Sequence, residues 1–351
     1  MCVGICFGSL ASLMTFAALN EHHRRSSLTN GHKVVVMLAS NVEGGVMEVK
    51  GAREWEIERN SIQNKEQYTK RWGYEFETVN MMTQRRYSQE WREGWEKVDL
   101  IRETMRKYPD AVWLVLRTPF FVCRWLIHSR FWWLDLNTWI MEPSYSLQDH
   151  IFNRLDAISY RDVNAYPSLE HGPPPANTYF DKVALAPNGD RDISSIDLIL
   201  SQDCGSLNLG SFLIRRSTWT DRLLDIWWDP VLYEQNYMEW QHKEQDALGH
   251  LYDHHPWIRA RVAFVPQRYI NSFPPGACGD SIDPAIHYQE KDRDFVVNMA
   301  NCQSGRDCLG EMDQFRESSD RLNGVVQKRC MNKVKQFFRK MFGINEQPRQ
   351  A

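Results

Sequence analysis

No two cysteines stand in a Cys-x-x-Cys spacing in this 351-residue chain, and it holds no Asn-x-Ser/Thr sequon and no Gly-x-Ser-x-Gly. The first absence argues against a zinc ribbon. The second leaves glycosylation silent about compartment. The third leaves hydrolase chemistry without support. An excess of positive charge is also lacking: 42 Lys and Arg stand against 45 Asp and Glu, a net charge of −3. Without a basic field, nucleic acid is a poor candidate for the main partner. No internal repeat is visible, and the eight cysteines are scattered. Cys302 and Cys308 can close a short disulfide loop if the chain is lumenal; free buried thiols are the alternative.

What is present is apolar and aromatic. Hydrophobic residues make up 42%, with 14 Trp, 13 Tyr and 16 Phe, which fits a large core or carbohydrate stacking. Met1 to Asn20 carries no charged side chain and is of a length to span a bilayer, although Gly, Ser, Thr and Ala make it marginal. His22, His23, Arg24 and Arg25 follow it, the wrong side for the positive-inside rule. Three readings compete: a signal-anchor whose cytoplasmic tail lies outside this sequence, a cleaved signal peptide, and a buried helix. The first is preferred, because the signal-peptide reading lacks a basic n-region.

Lys33 to Ala39 is a β-branched, apolar run, a first buried strand, with Ser40 and Asn41 at its carboxyl end, where open α/β sheets bind nucleotides. Glu54 to Arg71 reads as a solvated, charge-rich helix, Tyr74 to Val79 as a second strand, and Trp95 to Tyr108 as a helix with an apolar face. This βαβα order is that of a doubly wound sheet. Ala111-Val112-Trp113 starts a strand aimed at Trp132-Trp133-Leu134-Asp135, but 115–131 interrupts it with charges and a proline and reads as an insertion. Later strands are expected at Asp197–Asp203, Leu209–Arg215, Arg261–Pro266 and Asp294–Met299, with helices at Trp219–Trp228 and from Lys243. A basic amphipathic helix is expected over Asn332–Phe342.

Asp135-Leu136-Asn137 ends the most apolar of these strands. In extended chain, residues i and i+2 share a face, and two oxygen side chains on one face can hold a hard divalent cation against a diphosphate. A strand-end acid with an Asx turn is the plainer alternative.

Further motifs follow in order: Asn64 to Tyr74, Trp132 to Pro143, Asn208 to Arg215, Glu244 to Leu248, Pro266 to Pro274 and Asp294 to Cys302. On these the chain resembles the fungal and plant galactosyl/mannosyltransferase family, from about Lys33 to Glu311. The resemblance implies a nucleotide-sugar-binding, Rossmann-like α/β fold of GT-A type, a mixed sheet flanked by helices. It implies a retaining transfer of mannose from GDP-mannose to a mannan or N-glycan acceptor through an α-1,6 linkage. Mn²⁺, a lumenal catalytic domain at the Golgi membrane and a hetero-oligomeric mannosyltransferase complex are implied with it. The catalytic domain is expected over 33–315, with a helical tail over 316–351.

Residue by residue, the resemblance implies Asp135, Asn137 and Asn298 as metal ligands. Asn137 stands where the family has the second Asp, so it keeps an oxygen and loses a charge, and Asn298 stands where relatives have a His, so a carbonyl oxygen replaces a ring nitrogen. Glu244, Gln245 and Asp246 match the motif near the sugar, although acids at a helix start also suit its dipole. Asn208, Gly210 and Ser211 are expected along the sugar or acceptor groove, and Ser40, Asn41, Asn64 and Tyr68 at the nucleotide. A UDP-galactose enzyme, a non-catalytic scaffold subunit and a plain sugar-binding module are the competing functions. His250 and His254 can share a helix face, but no third zinc ligand accompanies them in the sequence.

Overall fold

The computed structural model describes residues 33–40, 51–80, 96–108, 129–161, 163, 193–204, 207–236, 238–240, 242–279 and 283–324. Strand β1 (Lys33–Ser40) alternates, with Val35 and Met37 entering one core and Val34 and Val36 the other. A strand covered on both faces must be apolar on both. Helix α1 (Ala52–Trp72) follows and ends at Gly73, whose φ of +69° gives the left-handed cap that glycine adopts at least cost. It is not merely a solvated helix: it buries Glu58, Ser61, Lys65, Tyr68 and Thr69. Its buried face is largely polar, so hydrophobic periodicity could not reveal it.

Strand β2 (Glu75–Asn80) lies parallel to β1, and helix α2 (Glu96–Lys107) buries Val98, Ile101 and Met105. Strand β3 (Ser129–Leu134) is parallel to β1 on its other side. Ser129, Arg130 and Phe131, assigned from the sequence to an insertion, are strand residues registered against Lys33, Val34 and Val35. Arg130 is tolerated there because its guanidinium stands 4.1 Å from the Phe152 ring centre. Residues 115–128 lie outside the described residues.

Strand β4 (Thr138–Ile140) leaves the main sheet. The main sheet continues with β5 (Leu198–Gln202) and β6 (Leu207–Arg215). Helix α3 (Thr218–Trp227) is capped by Ser217, whose hydroxyl accepts Thr220 N at 3.1 Å. Helices α4 (Pro230–Asn236) and α5 (Glu244–His254) precede β7 (Val262–Phe264). Strand β8 (Val296–Asn298) and helix α6 (Cys308–Leu322) close the order.

The six-stranded sheet runs β2-β1-β3-β6-β5-β7, with β6 antiparallel to both neighbours and the other pairs parallel. This is the mixed α/β sheet flanked by helices that the sequence led us to expect. One difference matters. The last strand does not join that sheet but pairs antiparallel with β4 in a two-stranded sheet of its own. That placement carries Asn298 opposite Thr138, beside the Asp135 stretch.

The boundary expected at residue 315 falls inside α6, which stays on the domain to Leu322. Met312 and Phe315 pack with Trp139, Met141 and Val297, and Ser319 Oγ donates to Met141 O at 2.7 Å. Among the described residues no helix is long and apolar enough to cross a membrane. Met1–Asn20 and Asn332–Phe342 lie outside them.

Two disulfides are formed, Cys302–Cys308 and Cys204–Cys278. The second, which spacing did not suggest, ties residues 74 apart in sequence across the end of β5. Replacing Cys204 and Cys278 together by serine should lower unfolding stability by about 2–4 kcal/mol, mainly by releasing a long loop in the unfolded chain. Urea denaturation without reductant checks this, and an unchanged midpoint would contradict it.

Candidate donor-binding site

Asp135 and Asn137 are not on an extended strand. Thr138 N donates to Asp135 O at 3.1 Å, so Asp135–Thr138 is a turn between β3 and β4. The main sheet ends at Leu134 and the small sheet begins at Thr138. The turn is pinned on one side by β6, where Asp135 N donates to Gly210 O at 2.8 Å. It is pinned on the other by Met299 N, which donates to Asn137 O at 2.9 Å. The metal-ligand candidates Asp135, Asn137 and Asn298 are therefore gathered by backbone pairing.

Helix α1 grips the same stretch from a third side. Ser61 Oγ donates to Leu136 O at 2.7 Å, and Lys65 Nζ donates to Thr138 O at 2.6 Å and to Ser61 Oγ at 2.7 Å. Asn64 accepts Ile140 N at 2.8 Å and donates to Ile140 O at 3.1 Å. Asn64 is thus committed to the backbone of β4 rather than to a nucleotide. Tyr68 is buried, with its hydroxyl donating to Tyr145 O at 2.9 Å, and is a core residue. Ser40 ends β1, but its side chain and all of Asn41 lie outside the described residues.

Lys65 is fully buried, and desolvation pulls its pKa down to about 7 despite the field of Asp135. The unfolded chain holds that proton up to about 10.5, so between these values it binds more protons than the folded chain. Stability should therefore rise with pH from 7 towards 10, at up to about 1 kcal/mol per pH unit from this group. The rise should be smaller in Lys65→Met; denaturation midpoints of the two proteins across that range give the comparison.

Gly210 faces Asn298 so closely that a Cβ there would stand 2.2 Å from Asn298 Nδ2 and 3.1 Å from Asn208 Oδ1. Only glycine allows that approach. Asn208 is engaged behind it: Oδ1 accepts Gly210 N at 2.8 Å and Asn271 Nδ2 at 2.5 Å, and Nδ2 donates to Asp203 at 2.7 Å. Asn208 holds the groove's wall in place. Ser211, the next residue on a strand, turns to the opposite face, where it is buried and accepts Trp132 Nε1 at 3.0 Å. It does not line the groove.

Helix α5 brings Glu244 and Gln245 to the same place. Gln245 Oε1 accepts Leu209 N at 3.1 Å. Lys243, at the helix start, has φ +44°, a strained conformation for a residue with a side chain, of the kind that clusters at functional sites. Asp246 does not share the groove: it is buried and accepts His242 N at 2.7 Å, a helix-start contact. Burial pushes its carboxyl pKa up, with that N–H opposing.

The residue that joins these parts is Lys97, from α2. Its Nζ lies 3.4 Å from Asp135 Oδ1, 3.2 Å from Glu244 Oε1 and 3.2 Å from Leu209 O. Burial alone would lower its pKa, but Asp135 and Glu244 prevail and raise it, so the ammonium stays charged. Burial raises Glu244, with Lys97 pulling the other way. Trp133 Nε1 donates to Asp135 Oδ1 at 2.6 Å and fixes that oxygen. Sequence reading passed over Lys97. The signal was its place in line with Ile101 and Thr104, at i+4 and i+7 on the buried face of α2.

A hard cation takes oxygen ligands, and one carboxylate with two amide carbonyls is of that kind. Among the described residues no group of three or more His, Cys, Asp or Glu could hold a metal, so Asp135 is the anionic member of the set. Bound donor phosphates would have to supply the remaining oxygens. The donor set fits on those terms. A cavity of about 740 Å³ opens at the far end of the β4–β8 pair, lined by Tyr145, His150, Arg268, Tyr269, Asp294 and Phe295, and none of the candidate site residues lines it.

An acidic turn, a glycine-opened strand and a polar helix start meet at one edge of the main sheet, and the family this chain matches makes it a glycosyltransferase. The chain belongs to the galactosyl transferase GMA12/MNN10 family, whose model matches residues 30–117 and 128–309. It is 47% identical over 305 residues to the "Probable alpha-1,6-mannosyltransferase MNN10" of Saccharomyces cerevisiae, covering 87% of this chain and 70% of that one. It is 43% identical over 292 residues to an uncharacterized alpha-1,2-galactosyltransferase of Schizosaccharomyces pombe, covering 83% and 76%. A solved glycosyltransferase involved in glycosylation of the major capsid of PBCV-1 aligns over 81% of this chain and 99% of its own, with TM-score 0.46 and 11% identity.

Proposed function

We propose that the protein is a retaining α-mannosyltransferase that moves mannose from GDP-mannose to a mannan or N-glycan acceptor, through an α-1,6 linkage and with a divalent cation such as Mn²⁺. The observation that carries the reading is that Lys97 joins Asp135 to Glu244, with Gln245 on Leu209 N and the Asn137 and Asn298 backbones beside the Asp135 turn, in a chain 47% identical to a mannosyltransferase-named relative. A divalent cation bound there supplies charge stabilisation for the departing diphosphate. Asp135, with Asn137 and Asn298, orients the diphosphate end of the donor. Gln245 and Glu244 face the sugar, whose anomeric carbon becomes cation-like as its bond to phosphate breaks. The acceptor hydroxyl enters on the face the phosphate leaves, and its proton passes to a phosphate oxygen. No protein nucleophile is required.

Two disulfides suit an oxidising compartment. With the uncharged segment Met1–Asn20 as an anchor, they support a lumenal catalytic domain, which we place at the Golgi membrane; a hetero-oligomeric mannosyltransferase complex is part of the proposal through the family resemblance alone. A second reading, transfer of galactose from UDP-galactose, is favoured by the 43% identity to the galactosyltransferase-named relative. Assaying GDP-mannose and UDP-galactose in parallel on a short α-mannoside, with Mn²⁺ or EDTA, separates the two. Mannose transfer at least about tenfold faster, and lost in EDTA, is expected (a ratio equivalent to about 1.4 kcal/mol). Preference for galactose would overturn the donor assignment, and transfer undiminished by EDTA would overturn the role of the metal.

A further inference from the structure

Lys97 has three N–H bonds and three oxygen neighbours: Asp135 Oδ1, Glu244 Oε1 and Leu209 O. The three carboxylate and ammonium groups differ in how open they are. The side chains of Lys97 and Glu244 are 10% and 13% exposed, whereas that of Asp135 is 39% exposed. Lys97 and Glu244 form a neutral pair in the enclosed part of the cluster. Asp135 shares the same ammonium from the open side, at the longer distance. Asn137 and Asn298 add no charge, so Asp135 is the single anion this ligand set can offer a cation. Whatever neutralises Asp135 before the cation arrives competes directly with it.

We infer that Lys97 is the counter-ion that Asp135 exchanges for a divalent cation, and that Glu244 receives Lys97 when the exchange occurs. This rests on reading Asp135 as a cation ligand. A divalent charge at Asp135 repels the ammonium, which retains Glu244 and Leu209 O and needs no new partner. The buried ammonium is never stranded, so the exchange avoids the large cost of an unpaired buried charge. Glu244 is then a positioning residue for the cation site through Lys97, in addition to its place beside the sugar. The arrangement makes a signed prediction that a merely structural ion pair does not. Removing Glu244 alone leaves Lys97 with Asp135 as its one carboxylate partner in the cluster and should weaken cation binding. Removing Lys97 and Glu244 together frees Asp135 and should strengthen it.

The test is Mn²⁺ binding by the full chain in the presence of GDP, followed by the electron paramagnetic resonance of free Mn²⁺. Glu244→Gln should raise the Mn²⁺ dissociation constant, and the double variant Lys97→Met with Glu244→Gln should lower it below wild type. The two should differ on the order of tenfold. The double variant removes a complete ion pair and strands no buried charge, which favours folding; thermal melts of each variant verify it. If the double variant does not fold, Lys97→Gln with Glu244→Gln, which keeps a neutral hydrogen-bonding pair in place, replaces it with the same expected sign. Shifts in the same direction, or no shift, overturn the exchange while leaving the cation site standing. If Asp135→Asn binds Mn²⁺ as wild type does, or wild type binds none, the underlying cation reading fails and the exchange with it.

Discussion

Asp135→Asn should lower kcat/KM for sugar transfer by about 10²–10³ while the protein remains folded, the range seen when one preorganised electrostatic group is removed from a transition state. The substitution is nearly isosteric. An asparagine can still offer Oδ1 to Trp133 Nε1, which now donates to the carboxylate at 2.6 Å, and the backbone bond from residue 135 to Gly210 O is untouched. What is lost is the one negative charge in a ligand set whose other two members are amides. The effect should therefore fall on catalysis and cation affinity together, and hardly on the far-ultraviolet dichroism. A rate within tenfold of wild type would mean that the charge on this turn is not used in the reaction.

The second large effect is expected at Gly210→Ala. The added methyl group would stand 2.2 Å from Asn298 Nδ2, a distance no packed pair of heavy atoms tolerates. Either Asn298 swings away or β6 shifts, and β6 carries Gly210 O, which anchors Asp135 N. Overpacking of this kind costs about 1–3 kcal/mol of stability. A displacement near 1 Å at the site can reduce turnover by about 10². The double variant Gly210→Ala with Asn298→Ala removes the severe clash and leaves the tighter-than-usual 3.1 Å approach to Asn208 Oδ1. It should recover most of the stability but not the activity, because the Asn298 amide is gone. Full recovery of turnover would show that Asn298 is dispensable and that the glycine serves packing alone.

Much of the scaffold was legible because it obeys simple periods. Val34–Leu38 and Trp132–Leu134, the parts of β1 and β3 legible as strand, are apolar on both faces because both faces are covered. Charge misled wherever it was buried with partners. Arg130 looked like part of a surface insertion because nothing local announces Phe152 beneath it. The polar face of α1 looked solvated because Ser61, Asn64 and Lys65 hold backbone oxygens and an amide some 75 residues away. Asp135, Gly210, Gln245 and Asn298, which the sequence offered as candidates, lie close together at the β3–β4 turn. Lys97, the ion between Asp135 and Glu244, has only a faint mark, its line with Ile101 and Thr104 on the buried face of α2, and nothing local names the two carboxylates it meets. Nor could an i, i+2 pattern tell an extended strand from a turn, which depends on β4 leaving one sheet for another.

That departure of β4 leaves a three-residue strand with one edge paired to β8 and the other held by helix side chains. An open strand edge ordinarily invites another chain to add to it. Here Asn64 takes up both the donor and the acceptor of Ile140, imitating the neighbouring strand that is missing. The candidate site and this hydrogen-bond guard thus share one piece of backbone. Local opening that freed the turn would also release α1 and expose an adhesive edge. Loosening at the reaction centre would then be felt first as a tendency to self-associate, so selection against aggregation and selection for turnover would act on the same three side chains.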